Sequence, residues 1–211
     1  MLSPNLPASR VTRIAEASLP TRCGLFRIAI YRQLETGEEA TVLYCGSIEG
    51  RRPMLVRLHS ECLTGDTLGS LRCDCGEQLD ASLAMLAAHG RGILFYLKQE
   101  GRGIGLADKV RAYALQDEGL DTVDANRALG LPVDGRSYEL AADILHHLGL
   151  NRIRLVTNNP TKRRALELLG IRVVERVPLE VKPNPVNHRY LRTKMERMGH
   201  MLNLPPPSAE C

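Results

Sequence analysis

Three of the six cysteines lie in one short stretch of the chain. Cys62 is followed by ten residues, then Cys73, one further residue and Cys75. A Cys-x-Cys pair with a third cysteine a short reach upstream can bring three thiolates onto one Zn²⁺ ion. Three protein ligands leave the fourth position open for water, which is typical of catalytic rather than structural zinc. The spacing therefore predicts one catalytic zinc ion per chain.

A reduced, buried cysteine cluster or a redox pair is the alternative interpretation of these sulfurs. Arg72, Asp74 and Glu77 surround them, whereas buried cysteine usually has apolar neighbours. The next cysteine upstream, Cys45, lies seventeen positions before Cys62, which is not the spacing of a four-ligand zinc finger. These neighbours and this spacing favour the three-ligand zinc site.

A glycine-rich run, Glu100-Gly-Arg-Gly-Ile-Gly, follows a strand-like stretch and precedes a helical one. Leu106 stands where a dinucleotide fingerprint requires glycine or alanine, and no Gly-Lys-Ser/Thr follows, which excludes a P-loop. The carboxylate of Glu100 could accept hydrogen bonds from the N–H groups of a base, and the guanidinium of Arg102 could donate two hydrogen bonds to a phosphate. The alternative interpretation is that this run forms a tight turn that binds no ligand.

Two further loops carry residues that suit an anionic ligand. Asp134-Gly-Arg136 pairs an acid with an arginine, although a solvated turn has the same composition. Thr157-Asn-Asn-Pro-Thr-Lys162 lies between a strand and a helix, and a helix N-terminus beside Thr and Lys can bind an anion. Asn159 acting only as the cap of that helix is the alternative.

The elements that position these loops follow from periodicity and turn signals. We expect strands over 24–32, 40–46, 54–59, 92–98, 152–157 and 171–177, with helices over 76–89, up to 117, 138–148 and between 159 and 170. Residues 120–137 are predicted to be irregular. The first two strands form a hairpin and the later strand–helix–strand units imply parallel pairing. The fold class is therefore α/β (α+β), a single domain with a mixed sheet.

Composition agrees with one soluble globular domain. The chain has 211 residues, 44% hydrophobic and 25% charged, with a net charge of +4. No signal peptide or membrane span is recognisable, and the cysteines suit a reducing compartment, so we expect a cytoplasmic protein without a membrane partner. We expect a flexible leader over 1–10, a catalytic domain over 11–202, and a disordered tail over 203–211 in which Cys211 is a free thiol.

Several motifs in the same order resemble GTP cyclohydrolase II over roughly residues 12–202. They are Arg57-Leu-His-Ser-Glu-Cys-Leu-Thr-Gly-Asp, Leu71-Arg-Cys-Asp-Cys-Gly, the run from Gln99 to Leu106, Arg111-Ala-Tyr-Ala-Leu-Gln-Asp, Leu155-Val-Thr-Asn-Asn-Pro-Thr-Lys, Glu175-Arg-Val-Pro-Leu and the segment Lys194…Met198-Gly-His200. The resemblance implies conversion of GTP to 2,5-diamino-6-ribosylamino-4(3H)-pyrimidinone 5′-phosphate with release of formate and pyrophosphate, at the start of riboflavin biosynthesis. It also implies zinc, Mg²⁺ with the triphosphate, and a homodimer.

The same resemblance assigns roles to individual residues. Cys62, Cys73 and Cys75 become the zinc ligands, Asp134 a proton acceptor, and Tyr113 a participant in ring hydrolysis. Arg136 becomes a nucleophile at the α-phosphate, although a phosphate clamp is the easier role for a guanidinium that stays protonated. The resemblance places these residues around GTP: Arg57, Leu58, His59, Ser60, Glu61, Gln78, Glu100, Gly101, Arg102, Thr122, Thr157 and Lys162.

Two rival functions remain at this point. A related enzyme could open the ring and retain the formyl group; Tyr113 argues against it, and a formate assay decides. A zinc module that binds nucleic acid would need four ligands and an aromatic-bearing basic face, whereas aromatics are 4% of the chain. We therefore expect a small-molecule substrate and no nucleic-acid partner.

Overall fold

One mixed sheet with the strand order β1-β2-β3-β5-β4-β6-β7 runs through the protein in the computed structural model, which describes residues 9–50 and 52–205. The strands are β1 (Val11–Thr21), β2 (Gly24–Gln33), β3 (Glu39–Cys45), β4 (Met54–Ser60), β5 (Gly92–Leu97), β6 (Arg152–Val156) and β7 (Arg172–Val177). The β1-β2-β3-β5 half is antiparallel, and β5-β4-β6-β7 is parallel. The predicted mixed sheet is confirmed.

Seven α-helices are present in the described ranges. They are α1 (Leu63–Asp66), α2 (Cys75–His89), α3 (Leu106–Asp117), α4 (Thr122–Ala128), α5 (Glu139–His147), α6 (Pro160–Leu168) and α7 (His188–Met198), with a 3-10 turn over Glu100–Gly103. None of these helices combines the length and the apolar character needed to cross a membrane.

Strand β4 lies at the centre of the parallel half and is buried along almost its whole length. Its side chains alternate between two apolar clusters, one on each face of the sheet. Val56 belongs to the same apolar cluster as Ile144 of α5 on one face, and Leu55 to the same cluster as Leu86 of α2 on the other. Helices on both faces explain the continuous apolar run of this strand. The carboxyl ends of β4, β5 and β6 therefore lie at one edge, where ligands of α/β sheets usually bind.

Four elements were not predicted from the sequence, and the first is the short helix α1 within the expected cysteine loop. Strand β1 pairs with β2 along its length, but many of its side chains are exposed and its apolar alternation is weak. Residues 120–137 were expected to be irregular, whereas α4 lies within them, capped by Asp121, which accepts from the N–H groups of Val123 and Asp124. That expectation was wrong because seven residues are too few to show helical periodicity. Helix α7 was missed altogether.

The expected domain limits stay a prediction. Most of the expected leader, residues 1–8, and most of the expected tail, residues 206–211 with Cys211, lie outside the described residues.

Candidate active site

The three predicted zinc ligands come together at the end of β4 and the start of α2. The Sγ atoms of Cys62, Cys73 and Cys75 lie within 4.8 Å of one another, and those of Cys62 and Cys73 are 3.6 Å apart. Tetrahedral zinc with Zn–S distances of about 2.3 Å needs sulfurs about 3.8 Å apart. The donor set and spacing therefore fit a zinc ion.

Close packing around the sulfurs depends on Gly65. A Cβ atom at this position would lie 2.8 Å from the Sγ atom of Cys73 and 3.2 Å from that of Cys62. Any side chain at position 65 would displace the cluster. Among the described residues, the five cysteines present are free thiols, so no disulfide competes for these sulfurs. Cys45 lies elsewhere, buried, and donates to the carbonyl of Leu86 at 3.2 Å.

Lys109 of α3 supplies a positive charge beside the sulfurs. Its Nζ atom donates to the Sγ atom of Cys62 at 3.1 Å and to Oε1 of Glu100 at 2.7 Å. Hydrogen bonds from Cys73 and Cys75, together with the charge of Lys109, lower the pKa of Cys62. Thiolate is the form that binds metal, so this environment favours the ligand form of Cys62.

Tyr113 lies one turn further along α3, beside the same sulfur cluster. Its hydroxyl lies 3.4 Å from the Oγ1 atom of Thr64, and the side chains of Arg72 and Lys109 lie over its ring. Burial raises the pKa of Tyr113 to about 12. The phenol therefore keeps its proton at neutral pH and can donate a hydrogen bond.

A buried network fixes the loop that carries Cys62. Asp66 accepts from the backbone N–H of Cys62 at 3.0 Å and from the hydroxyl of Tyr96 at 2.9 Å. The Nε2 atom of His59 lies 3.0 Å from the same carboxylate. Burial lowers the pKa of His59. This ring therefore contributes to the loop as a neutral hydrogen-bonding group.

Cationic side chains gather at the other end of the pocket. Arg57, Arg102, Arg136 and Lys162 all line it. Within the described residues, neither Arg57 nor Lys162 forms an ion pair, and the Nζ atom of Lys162 donates to the carbonyl of Leu58 at 2.7 Å. Burial, reinforced by the charges of Arg57 and Arg136, lowers the pKa of Lys162. Burying so much like charge is costly without an anionic partner, so this end is built to bind an anion.

Asp134 holds Arg136 in place with two hydrogen bonds. The Nε and Nη2 atoms of Arg136 lie 2.8 and 2.5 Å from the carboxylate oxygens. Burial alone would lower the pKa of Arg136, but the hydrogen bond to Asp134 and the charges of Tyr138 and Asp134 together outweigh burial and raise that pKa. Arg136 therefore stays protonated.

A chain of buried hydrogen bonds joins the sulfur end to the cationic end. Asp74, between two of the cysteines, accepts from Lys194 of α7 at 2.9 Å and from Gln78 at 2.5 Å. Gln78 in turn accepts from Arg57 at 2.5 Å. Burial would raise the pKa of Asp74, but the charge of Lys194 and these hydrogen bonds lower it. The two ends of the pocket are thus held in one rigid polar network.

Four buried side-chain polar atoms in the described residues have no hydrogen-bond partner. They are Nε of Arg57, Nδ1 of His59, the hydroxyl of Tyr138 and Nδ1 of His200. Arg57, His59 and His200 line the pocket, and the ring of Tyr138 lies 5.8 Å below the Nζ atom of Lys162. Buried polar atoms are nearly always paired. Their concentration here indicates that a ligand supplies the missing partners.

The structure brings almost all the residues singled out in the sequence around one pocket. Two of them do not line it. Leu58 is buried in the apolar core, and Asp134 contacts the pocket only through its hydrogen bonds to Arg136. Glu100 reaches the pocket, but its carboxylate already accepts from Lys109 and from the N–H groups of Leu63 and Gly101. The lining residues from the sequence analysis are Arg57, His59, Ser60, Glu61, Cys62, Cys73, Cys75, Gln78, Glu100, Gly101, Arg102, Tyr113, Thr122, Arg136, Thr157 and Lys162.

The sequence analysis assigned neither a helix nor a site role to residues 188–202, although the motif Lys194…Met198-Gly-His200 within them belongs to the family resemblance. Tyr190, Lys194, His200 and Leu202 line the pocket. The amphipathic spacing of 188–198 was the available signal. It was hard to see because the helix is rich in charged residues on its exposed side.

Comparison with known proteins gives consistent results. A family model described as GTP cyclohydrolase II matches residues 12–178. The GTP cyclohydrolase-2 of Escherichia coli O9:H4 (strain HS) is 55% identical over 194 residues, covering 92% of this chain and 99% of the relative, and that of E. coli strain K12 / DH10B gives the same values. A solved two-domain 3,4-dihydroxy-2-butanone 4-phosphate synthase from A. baumannii matches at a TM-score of 0.43 and 18% identity, over 84% of this chain and 42% of that one, too distant to carry an argument.

Proposed function

This chain belongs to the GTP cyclohydrolase II family, and we propose from that premise that it hydrolyses GTP. The products are formate, pyrophosphate and 2,5-diamino-6-ribosylamino-4(3H)-pyrimidinone 5′-phosphate, in the first committed step of riboflavin biosynthesis. One observation carries the proposal: a single pocket has three metal-binding sulfurs at one end and a cluster of cations at the other. A substrate with a reactive base and a polyphosphate needs both ends.

Cys62, Cys73 and Cys75 would hold the zinc ion at the base end of the pocket. When bound, zinc supplies Lewis acidity that activates water for attack at C8 of guanine. The protein's own contribution there comes from Tyr113, whose hydroxyl lies beside the cluster and can donate a hydrogen bond to a ring nitrogen as the C8–N bond breaks. The positive charge of Lys109, which donates to the Sγ atom of Cys62, offsets part of the negative charge of the thiolates.

Arg136 acts in this proposal as a phosphate clamp. The raised pKa and the two hydrogen bonds to Asp134 leave no free electron pair on the guanidinium, which makes nucleophilic attack unfavourable. Asp134 occupies the Nε and Nη2 side of the guanidinium, and the remaining N–H donors of Arg136 can stabilise the charge that develops when the α–β phosphate bond breaks. Lys162 and Arg102 add charge at the same end. Mg²⁺ would accompany the triphosphate and would neutralise part of its negative charge.

The direct test is to incubate the purified protein with GTP and Mg²⁺ and to follow formate, pyrophosphate and the pyrimidine together. Stoichiometric formate and pyrophosphate are expected. Ring opening without formate would identify the rival enzyme that retains the formyl group, and no consumption of GTP would refute the proposal.

We also propose a homodimer in the cytoplasm. The dimer is what membership of the family implies; Ile14, Leu25 and Leu34 are exposed on or next to the β1–β2 hairpin but are spread over its length rather than gathered in one patch. The free thiols suit a reducing compartment. Light scattering at micromolar concentration that gave the mass of one chain would contradict the dimer.

A further inference from the structure

The segment that follows β7 returns to the pocket and supplies part of its lining. The side-chain amide of Asn187 donates to the carbonyl of Cys73 at 3.4 Å, and Lys194 forms its ion pair with Asp74. After α7 ends, the backbone N–H of Met201 donates to the carbonyl of Asn158 at 2.8 Å. Asn158 lies in the loop before α6, close to Lys162. Residues 187–202 are therefore fixed against both the cysteine loop and the loop before α6.

Within residues 187–202, His200 is the residue with a buried side-chain atom that has no hydrogen-bond partner. Its backbone N–H donates to the carbonyl of Lys194 at 3.0 Å, which fixes the residue just past the end of α7. The side chain lines the pocket, and its Nδ1 atom is buried without a hydrogen-bond partner in the described residues. A buried nitrogen of this kind needs a partner from a ligand.

The surroundings of His200 define what that ligand carries. Arg102, Arg136, Lys162 and Lys194 line the same pocket. Burial and the charges of these side chains, led by Lys194, lower the pKa of His200 to about 3. The ring is therefore neutral, and it can donate a hydrogen bond without adding to the crowded positive charge. A phosphate oxygen is the acceptor that suits both the cations and a neutral N–H donor.

We propose that His200 binds the phosphate end of GTP through its Nδ1 atom, and that residues 187–202 close the pocket over that end. The inference rests on the proposed function because it takes GTP as the ligand. It makes His200 a substrate-binding residue, supplied by a segment that lies beyond the part of the chain matched by the family model.

The test measures binding rather than turnover. Pyrophosphate with Mg²⁺ probes the phosphate end, and guanosine probes the base end; both dissociation constants are measured by calorimetry on the zinc-loaded full chain. His200→Ala should weaken pyrophosphate binding about 10-fold, the effect of one hydrogen bond to a charged group, and leave guanosine binding unchanged. His200→Asn should retain most of the affinity, because its amide can place a donor near the position of Nδ1.

His89→Ala is the matched control, since His89 lies exposed at the end of α2, and it should bind both probes like the wild type. Wild-type pyrophosphate affinity in His200→Ala, equal weakening of both probes, or no pyrophosphate binding by the wild type would overturn the proposal. An equal loss in His200→Asn would overturn the assignment to Nδ1. Failure of the proposed function has a different signature, namely a wild-type protein that releases no formate from GTP.

Discussion

The ion pair between Asp74 and Lys194 should be one of the most costly contacts to break in this protein. The Nζ and Oδ1 atoms are 2.9 Å apart, and the side chains are only 11% and 3% exposed. At an effective dielectric constant of about 20, unit charges at this distance attract by about 6 kcal/mol. Lys194→Met removes one charge and leaves the Asp74 carboxylate buried without its cation.

Breaking a buried pair from one side costs about 3–5 kcal/mol. For a chain of this length, that corresponds to a fall in Tm of about 6–20 °C. The double variant Asp74→Asn, Lys194→Met buries no unpaired charge, so it should cost at least about 2 kcal/mol less than the sum of the two single variants. The free energy of unfolding is measured by urea titration at one fixed zinc concentration.

Arg163 and Glu167 provide the matched control. This pair lies on the surface of α6 with side chains 49% and 40% exposed, and its removal should cost no more than about 0.5 kcal/mol. If the Asp74 and Lys194 substitutions proved additive, or if Lys194→Met were as mild as the surface control, the buried network would not join α7 to the cysteine loop as described.

Three further predictions concern the reaction. Cys73→Ser should lose most of the zinc, because a protonated hydroxyl replaces a thiolate poorly, whereas Cys45→Ser should retain it; metal analysis that finds full zinc in Cys73→Ser would refute the ligand assignment. Tyr113→Phe should fold normally and release formate about 10²-fold more slowly, and a wild-type rate would return Tyr113 to a packing role. Folded, zinc-free Cys75→Ser should still release pyrophosphate but no formate, whereas Arg136→Ala should keep its zinc and lose pyrophosphate release; equal loss of both products in Cys75→Ser would show that the two ends do not act separately.

Much of the site could be predicted because its residues lie at the ends of elements with strong local signals. Cys62 follows a buried strand, Cys75 starts a helix, and Lys162 is the third residue of the helix that Asn159-Pro160 opens. Each of these positions combines a clear element boundary with a residue type suited to the chemistry.

The parts that could not be predicted depend on contacts distant in the sequence. Lys194 meets Asp74 across 120 positions, and the covering role of His200 depends on where α7 docks. Local periodicity carries no information about such docking. The carboxylate of Glu100, expected to face a base, is instead occupied by Lys109 and two backbone N–H groups, a competition that only the packed structure reveals.

The turn over Glu100–Gly103 also bears on the balance between stability and activity. Gly101, Arg102 and Gly103 all have positive φ, at 62°, 62° and 89°, and Arg102 is the only non-glycine residue with positive φ in the described chain. That conformation costs an arginine about 1 kcal/mol or more that a glycine would not incur. A sequence selected for stability alone would therefore have a third glycine here. The strained conformation of Arg102 lowers the stability of this turn, but it positions the Arg102 guanidinium at the pocket before any substrate binds.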